Sequence, residues 1–440
     1  MKNVFFTVCI FHFSSNYFSA CAQTWQPVGN GFNFAVFTLV SDTASSILYA
    51  GGQFDTAGGS YCSRISQWNG INWDTAGTGV SNGFVKDAVM YNGSLYICGS
   101  FTNAGNKVRK FFTRWNGTSW DSIGFTTANC NPQKMIVYNN ELYIGGGFPT
   151  AGGITVNNIA RFNGTQFDSV ESGTNDIVYA MAVYNNELYI GGAFDSVSGI
   201  PANHIAKWSG ISWSAAGSGT NNDVYALEVY NGKLIAGGLF MQAGGNPANY
   251  TASWDGGNWS ALGSGTSSQV LTLCAYAGNI YAGGWFTAAG GNPANHIAAW
   301  SGTNWSAMAG GMNSSVDALE IFNGELYAGG FFTQADTNAA AYIAKWTGIV
   351  NTEEIQNPEI KIYPNPNSGK FVIACTDVVL SLSKHIGAQI EIYNSVGEKV
   401  FSRRALPINP QHIDASLTPG IYFLKITDED SSSVHKLVIE

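Results

Sequence analysis

The chain has 440 residues, 45% hydrophobic and 11% charged, enough for a large core and more than one compact unit. Twenty basic residues against 29 acidic ones leave a net charge of -9 and a pI near 5.1, which excludes the basic footprint of a nucleic-acid binder and disfavours an anionic membrane surface as partner. Seven cysteines without any Cys-x-x-Cys spacing give neither a zinc pattern nor a disulfide framework, although a bridge between Cys62 and Cys98 remains open.

Lys2 and the apolar run FFTVCIFHF, Phe5 to Phe13, precede Ala20-Cys21-Ala22, a small-residue site that predicts a cleaved leader over residues 1–22. FSAC, Phe18 to Cys21, also approximates a lipoprotein box. No later stretch is long and apolar enough to cross a bilayer, so no transmembrane segment is expected in the mature chain.

Residues 23–350 are built on a repeat. LYAGGQF at Leu48 returns as LYICGSF, LYIGGGF, LYIGGAF, LIAGGLF, IYAGGWF and LYAGGFF, at intervals of 47, 47, 46, 46, 46 and 46 residues. Such a period marks one supersecondary unit that buries its apolar face only when copies stack. The copy opening at Val224 predicts four strands: VYALEVY, LIAGGLF, TASW and WSALG, divided by Asn-Gly and Asp-Gly hairpin turns and a Gly-rich loop. Four short strands per repeat make a propeller blade, and seven copies predict an all-β, seven-bladed β-propeller. The seventh copy stops near Val350 without its fourth strand, while TWQPVG, Thr24 to Gly29, supplies one from the other end of the chain, so closure by an N-terminal strand is expected.

Twelve of the 13 Trp fall in two columns or in the closing strand, and Phe162 and Phe167 replace them in the third blade, which reads as inter-blade packing by large flat hydrophobes. The repeated Gly-Gly pair lies within a strand and precedes no helix, so close backbone approach or a bulge is expected there, not a phosphate loop. Trp285 departs from its column, which elsewhere holds Gln53, Ser100, Gly147, Ala193, Leu239 and Phe331. His204 and His296 share a column with Arg64, Phe111, Asn158, Tyr250 and Tyr342. Trp285, His204, His296 and Tyr250 are therefore the candidate ligand residues, on the face carrying the longer second-to-third and fourth-to-first connections. The Asn, Ser, Thr and Gly of those connections suit hydrogen bonding to a neutral glycan or a protein. No catalytic set, cofactor or metal site is expected.

The strand order, the Gly-Gly after an apolar strand and the Trp positions resemble the kelch type of propeller. Short Asp-Ser/Thr-apolar triplets at Asp42, Asp55, Asp74, Asp121, Asp168 and Asp195 resemble a bacterial O-glycosylation acceptor.

Beyond the repeats the polar stretch 351–359 reads as a linker, and residues 360–440 offer short alternating strands between turns, the pattern of a small C-terminal β-sandwich. YPNPNSGKFVI, IEIYNSVGEKV, IDASLTPGIYFLKI and HKLVIE resemble the C-terminal sorting domain of the type IX secretion system, through Tyr363, Pro364, Asn365, Pro366, Gly369, Gly397, Gly420, Tyr422 and Lys436. The resemblance implies export to the cell surface or medium and recognition by the outer-membrane type IX translocon. The function expected is a noncatalytic adhesin or a glycan- or protein-binding module. The alternatives are a structural surface or matrix protein and a polysaccharide-acting enzyme on the long-loop face.

Overall fold

The computed structural model describes residues 23–121, 123 and 130–347, followed by 360–363, 370–375, 389–394, 397–404, 411–415, 417–427 and 432–439. The expected leader and linker lie outside these residues. The chain divides into two compact units, Met1–Ile349 and Val350–Glu440.

The first unit is a β-propeller. Its principal sheets are antiparallel and follow the repeat; in blade 4, for example, Val178–Tyr184, Glu187–Gly192, Ile205–Trp208 and Trp213–Ala215 pair in sequence order from the inside out. The innermost strands of blades 1 to 7 are Val36–Asp42, Val85–Tyr91, Asn131–Tyr138, Val178–Tyr184, Val224–Tyr230, Val270–Tyr276 and Val316–Phe322. Each packs against the next, and the seventh against the first, which closes the ring. Blade 7 takes its outer strand from the N-terminus: Thr24–Pro27 pairs antiparallel with Ile343–Thr347, Trp25 opposite Trp346. Blade 2 is the thinnest, its fourth strand reduced to a bridge between Trp115 and Trp120.

The Gly-Gly pair has two separate steric causes. A Cβ on the first glycine would meet the valine opening the next blade's inner strand, 2.6 Å from Val224 Cγ1 for Gly191 and 2.6 Å from Val270 Cγ1 for Gly237. A Cβ on the second would stand 2.0 Å from the Ile177 carbonyl oxygen for Gly192 and 2.1 Å from that of Asp223 for Gly238. At the same place the ladder shifts register, as between Val178 and Ala180, so the pair marks a bulge. Blade 2 carries Cys98 where the others have the first glycine, and blade 3 begins with Pro132 where the others have valine. The two departures sit against each other.

The two aromatic columns are buried in every blade except at Phe167, which is half-buried, with the paired rings 4.8–5.4 Å apart between centroids. In the six blades that carry Trp there, the fourth-strand column also supplies a hydrogen bond. Trp73, Trp120, Trp213, Trp259, Trp305 and Trp25 each donate their indole N–H to a backbone carbonyl beside the preceding blade's last strand, at 2.8–3.3 Å. A second set of ties runs along the inner strands, where the hydroxyls of Tyr91, Tyr138, Tyr184 and Tyr230 donate to the next blade's hairpin turn at 2.8–3.0 Å. Both sets repeat because the blade-to-blade rotation repeats.

Cys62 and Cys98 are separate buried thiols, so the bridge left open by the sequence does not form.

The second unit consists of two antiparallel sheets. One contains Ile360–Tyr363, Lys370–Cys375 and Gln411–Asp414; the other runs Lys399–Arg404, Gln389–Asn394, Gly420–Thr427, Ser432–Ile439. Ile390, Ile392, Ala415, Tyr422, Leu424, Leu437 and Ile439 form its core.

Candidate functional site

The connections on the long-loop face are not loose. Each second-to-third connection folds into a two-residue hairpin, such as Ser196–Val197 with Ile200–Pro201, turning where Ser198 and Gly199 adopt positive φ. The preceding fourth-to-first connection is bridged to that hairpin, Thr174 to Val197 and Thr220 to Ala243. Asn175, Asn221 and Asn313 each accept two successive backbone N–H groups of their hairpin at 2.8–3.1 Å. Asn157, Asn203, Asn249 and Asn295 donate to carbonyls of the next connection at 2.9–3.1 Å. These asparagines, read from the sequence as contacts for a ligand, are consumed in holding the face together. Asp55 and Asp195, in two of the Asp-Ser/Thr triplets, serve the same hairpins by accepting from Asn33 and Asn175.

The column of His204, Tyr250 and His296 carries an unusual backbone. All seven members, Arg64, Phe111, Asn158, His204, Tyr250, His296 and Tyr342, lie in the left-handed region with φ between 63° and 72°. A side chain there costs roughly 1–2 kcal/mol, so tertiary contacts must hold it. The His204 amide donates to Phe194 O at 2.8 Å and its carbonyl accepts from Gly192 at 3.0 Å, and the other six repeat this pattern. From this conformation the side chains of Asn158, His204 and Tyr342 reach the connection entering the next blade. His204 Nδ1 lies 3.2 Å from Gly192 O and 3.8 Å from Asp223 Oδ1, and Tyr225 donates to the same Asp223 at 3.2 Å. His296 Nδ1 stands 3.1 Å from Gly284 O, with burial pulling its pKa below the ordinary histidine value. These residues occupy successive crevices and do not form one cluster.

Trp285 lies elsewhere, at the end of a second strand. Its amide donates to Gln269 O, immediately before the inner strand of blade 6, which puts it on the rim of the central channel with 46% of its surface exposed. The same rim carries an aromatic group from blades 7, 1 and 2. Phe34 stands 6.0 Å from Phe331 and from Tyr342, and Phe37 lies 5.6 Å from Phe331 and 5.4 Å from Phe84. Tyr179 and Tyr225 pair at 5.2 Å from blades 4 and 5.

Inside this rim the inner strands enclose a cavity of about 320 Å³. It contains charges that sequence reasoning did not single out. Lys86, Lys134, Asp87 and Asp317 line it. Asp87 is nearly buried and fully engaged, accepting from Lys134 Nζ at 3.1 Å, the Met135 amide at 2.7 Å and Thr38 at 3.3 Å. Lys134 keeps 41% of its side chain exposed because the channel is open to water. Lys86 sits over the Phe37 ring at 5.5 Å, and burial pulls its ammonium pKa down against the opposing pull of Asp317. Asp317 accepts from the Ser315 hydroxyl at 2.9 Å, and burial pushes its carboxyl up to about 6. Farther along the same strands, Glu228 and Glu320 are also raised by burial, the first accepting from the Val229 amide and the second from Ser41. These residues stand where the other blades carry uncharged side chains, such as Phe37, Gln133, Tyr179, Ala180, Leu271 and Val40, so the available signal was a break in the repeat at inner-strand positions.

In the second unit Tyr363 ends a strand, while Pro364, Asn365, Pro366 and Gly369 lie outside the described residues. Gly397 makes a tight turn at φ 86°, its amide donating to Asn394 O. Gly420 opens the strand that buries Tyr422, whose hydroxyl donates to Thr418 O at 2.9 Å, and Lys436 pairs in register with Phe423.

Comparison with known proteins gives one family. Residues 361–440 match the secretion system C-terminal sorting domain. No curated protein sequence matches the chain. Among solved structures, the computationally designed protein Ika8 is similar at 13% identity and a TM-score of 0.45, over 73% of this chain and 99% of that one. The Dos1 propeller is similar at 9% identity and a TM-score of 0.44, over 74% and 94%. PorZ, described as a surface component of the type IX secretion system of Porphyromonas gingivalis, is similar at 16% identity and a TM-score of 0.33, over 94% of this chain and 53% of its own length. The chain thus joins a β-propeller to a type IX sorting domain, which marks it as a protein exported by that secretion system and engaging its machinery.

Proposed function

We propose that the propeller is a noncatalytic binding module, delivered outside the cell by its sorting domain, that takes a glycan at the mouth of the central channel on the long-loop face. One observation carries this reading. The polar side chains of the surrounding connections are spent on one another, whereas the mouth combines a cavity, exposed aromatic rings including Trp285 and polar groups aimed inward, the usual composition of a small-ligand site. Aromatic faces beside a few hydrogen-bonding groups suit the alternating apolar and hydroxylated surfaces of a sugar. The test is titration of the full chain with a panel of soluble polysaccharides. Saturable binding that Trp285→Ala weakens supports the reading, and absence of binding across the panel moves the protein to a structural role at the cell surface.

A second reading has one observation in its favour. A carboxyl raised to about 6 at a channel mouth, as Asp317 is, has the property a general acid needs near neutral pH. Release of new sugar ends from a bound polysaccharide, abolished by Asp317→Asn, would make the propeller an enzyme.

A further inference from the structure

The channel mouth holds a cation and a carboxylate that face one cavity without joining. Lys86 in blade 2 and Asp317 in blade 7 stand on either side of blade 1, at equivalent positions next to the opening valine of their inner strands. Among the described residues Lys86 makes no ion pair, and its close partner is the Phe37 ring. Asp317 is satisfied on one side by Ser315. An ammonium drawn partly out of water with no carboxylate against it keeps three donors for another acceptor. Lys134 lies in the next layer, adding positive charge below Lys86 while remaining tied to Asp87. The other carboxylates are engaged from within, Asp87 by Lys134 and a backbone amide, Glu320 by Ser41, and Glu228 by the Val229 amide.

We propose that this mouth is a subsite for a sugar bearing a single carboxylate, a uronic acid residue, with Lys86 pairing to the carboxylate, Asp317 accepting from ring hydroxyls, and Trp285 and Phe34, on the rim outside the cavity, meeting the neighbouring residues of the glycan. The assignment rests on the glycan reading above and deepens it. Three features select the ligand class. A neutral sugar leaves the Lys86 charge uncompensated. A dianion such as a phosphate monoester meets repulsion from Asp317, and the site offers no guanidinium fork for it. The cavity, about 320 Å³, lies at the small end of the roughly 300–1,000 Å³ range of ligand pockets, so it takes one sugar residue and leaves the rest of a chain on the rim. A bound carboxylate also counters the burial that now depresses the Lys86 pKa.

The experiment is calorimetric titration of the full chain with oligogalacturonate, with the same oligomer after reduction of its carboxyl groups, and with a sulfated neutral oligosaccharide of equal length. The proposal expects oligogalacturonate to bind, carboxyl reduction to weaken it about tenfold or more, and Lys86→Met to weaken it similarly while erasing the difference between the two oligomers. Lys86→Gln carries the same comparison should the Met variant fold poorly, and thermal unfolding checks both. Equal binding of the reduced oligomer, undisturbed by Lys86→Met but lost in Trp285→Ala, overturns the uronate subsite and leaves the glycan reading standing. Sulfated sugar bound as tightly as uronate also overturns the assignment. No binding of any oligomer overturns both.

Discussion

Asp336 holds the ring closed, and its removal should cost more than any other exposed carboxylate in the propeller. Through Oδ2 it accepts from the Thr24 hydroxyl at 2.9 Å and the Trp25 amide at 2.7 Å, and through Oδ1 from the Gly310 amide at 2.7 Å. One side chain thus ties the N-terminal strand to the connection entering blade 7, while Asn338 donates to Trp25 O from the same hairpin. Hydrogen bonds to a charged group each net about 1.5–3 kcal/mol, but three that share one partly exposed carboxylate are not additive. A total of about 3 kcal/mol is expected. Asp336 has a φ of 51°, so Asp336→Ala would add a left-handed backbone penalty of about 1 kcal/mol. Asp336→Gly avoids that penalty and isolates the lost acceptors, at the expense of up to about 1 kcal/mol of backbone entropy. Asp336→Asn tolerates the backbone and keeps one acceptor oxygen, so it should fall between wild type and Gly. With a melting entropy near 2.1 cal/mol/K per residue, about 3 kcal/mol in a unit of this size lowers Tm by about 4 °C. Differential scanning calorimetry of the full chain gives the shift, and hydrogen exchange at the Trp25 amide gives its location. A Tm within 1 °C of wild type for Asp336→Gly, or unchanged protection of that amide, would refute the latch.

Gly192→Ala should destabilise the propeller by several kcal/mol, because its Cβ would lie 2.0 Å from a carbonyl oxygen, whereas Gly257→Ala, next to a free-standing turn, should cost under about 1 kcal/mol; denaturant titration separates them. Tyr184→Phe removes one inter-blade tie and should cost about 0.5–1.5 kcal/mol in the same titration, with no loss if the hydroxyl bonds only to water in solution. Asp317 keeps its proton up to about pH 6 when folded but only to about pH 4 when unfolded, so its contribution to stability is fully present below pH 4 and is lost as the pH rises through 6. Wild type should therefore lose about 2 kcal/mol more than Asp317→Asn between pH 4 and pH 7, after allowance for screening by channel water, and identical pH slopes would contradict this.

How much was legible in the sequence depended on whether a feature repeats. The seven LYAGGxF segments, the four-strand blade, the donated strand at Trp25 and the steric role of Gly-Gly follow from regularity, because each repeat faces the same neighbour. The two-residue hairpins such as Ser196–Val197 with Ile200–Pro201 were read as loops, since two residues show no periodicity. The indole N–H bonds of the fourth-strand column were hidden by Phe167, which holds the place in blade 3 without a donor. The asparagines of the long connections looked available because sequence does not say whether an amide is spent. Lys86, Lys134 and Asp317 were missed for the opposite reason. They occur once each, and the shared column of Lys86 and Asp317, with Lys134 one layer below, appears only when inner strands of separate blades are brought around one axis. Trp285 was found as a break in a column, and the same criterion applied to the residue after each inner-strand valine finds Lys86 and Asp317.

We place glycan binding at the channel mouth, not on the opposite face or the outer hairpins. The decisive comparison titrates the full chain with a polysaccharide that binds the wild type, setting Trp285→Ala at the mouth against Ile211→Ala, an even more exposed apolar residue in a third-to-fourth turn on the opposite face. At least tenfold weaker binding is expected for Trp285→Ala and none of that loss for Ile211→Ala, with both variants unfolding at the wild-type temperature. Equal affinities for the two variants would contradict it.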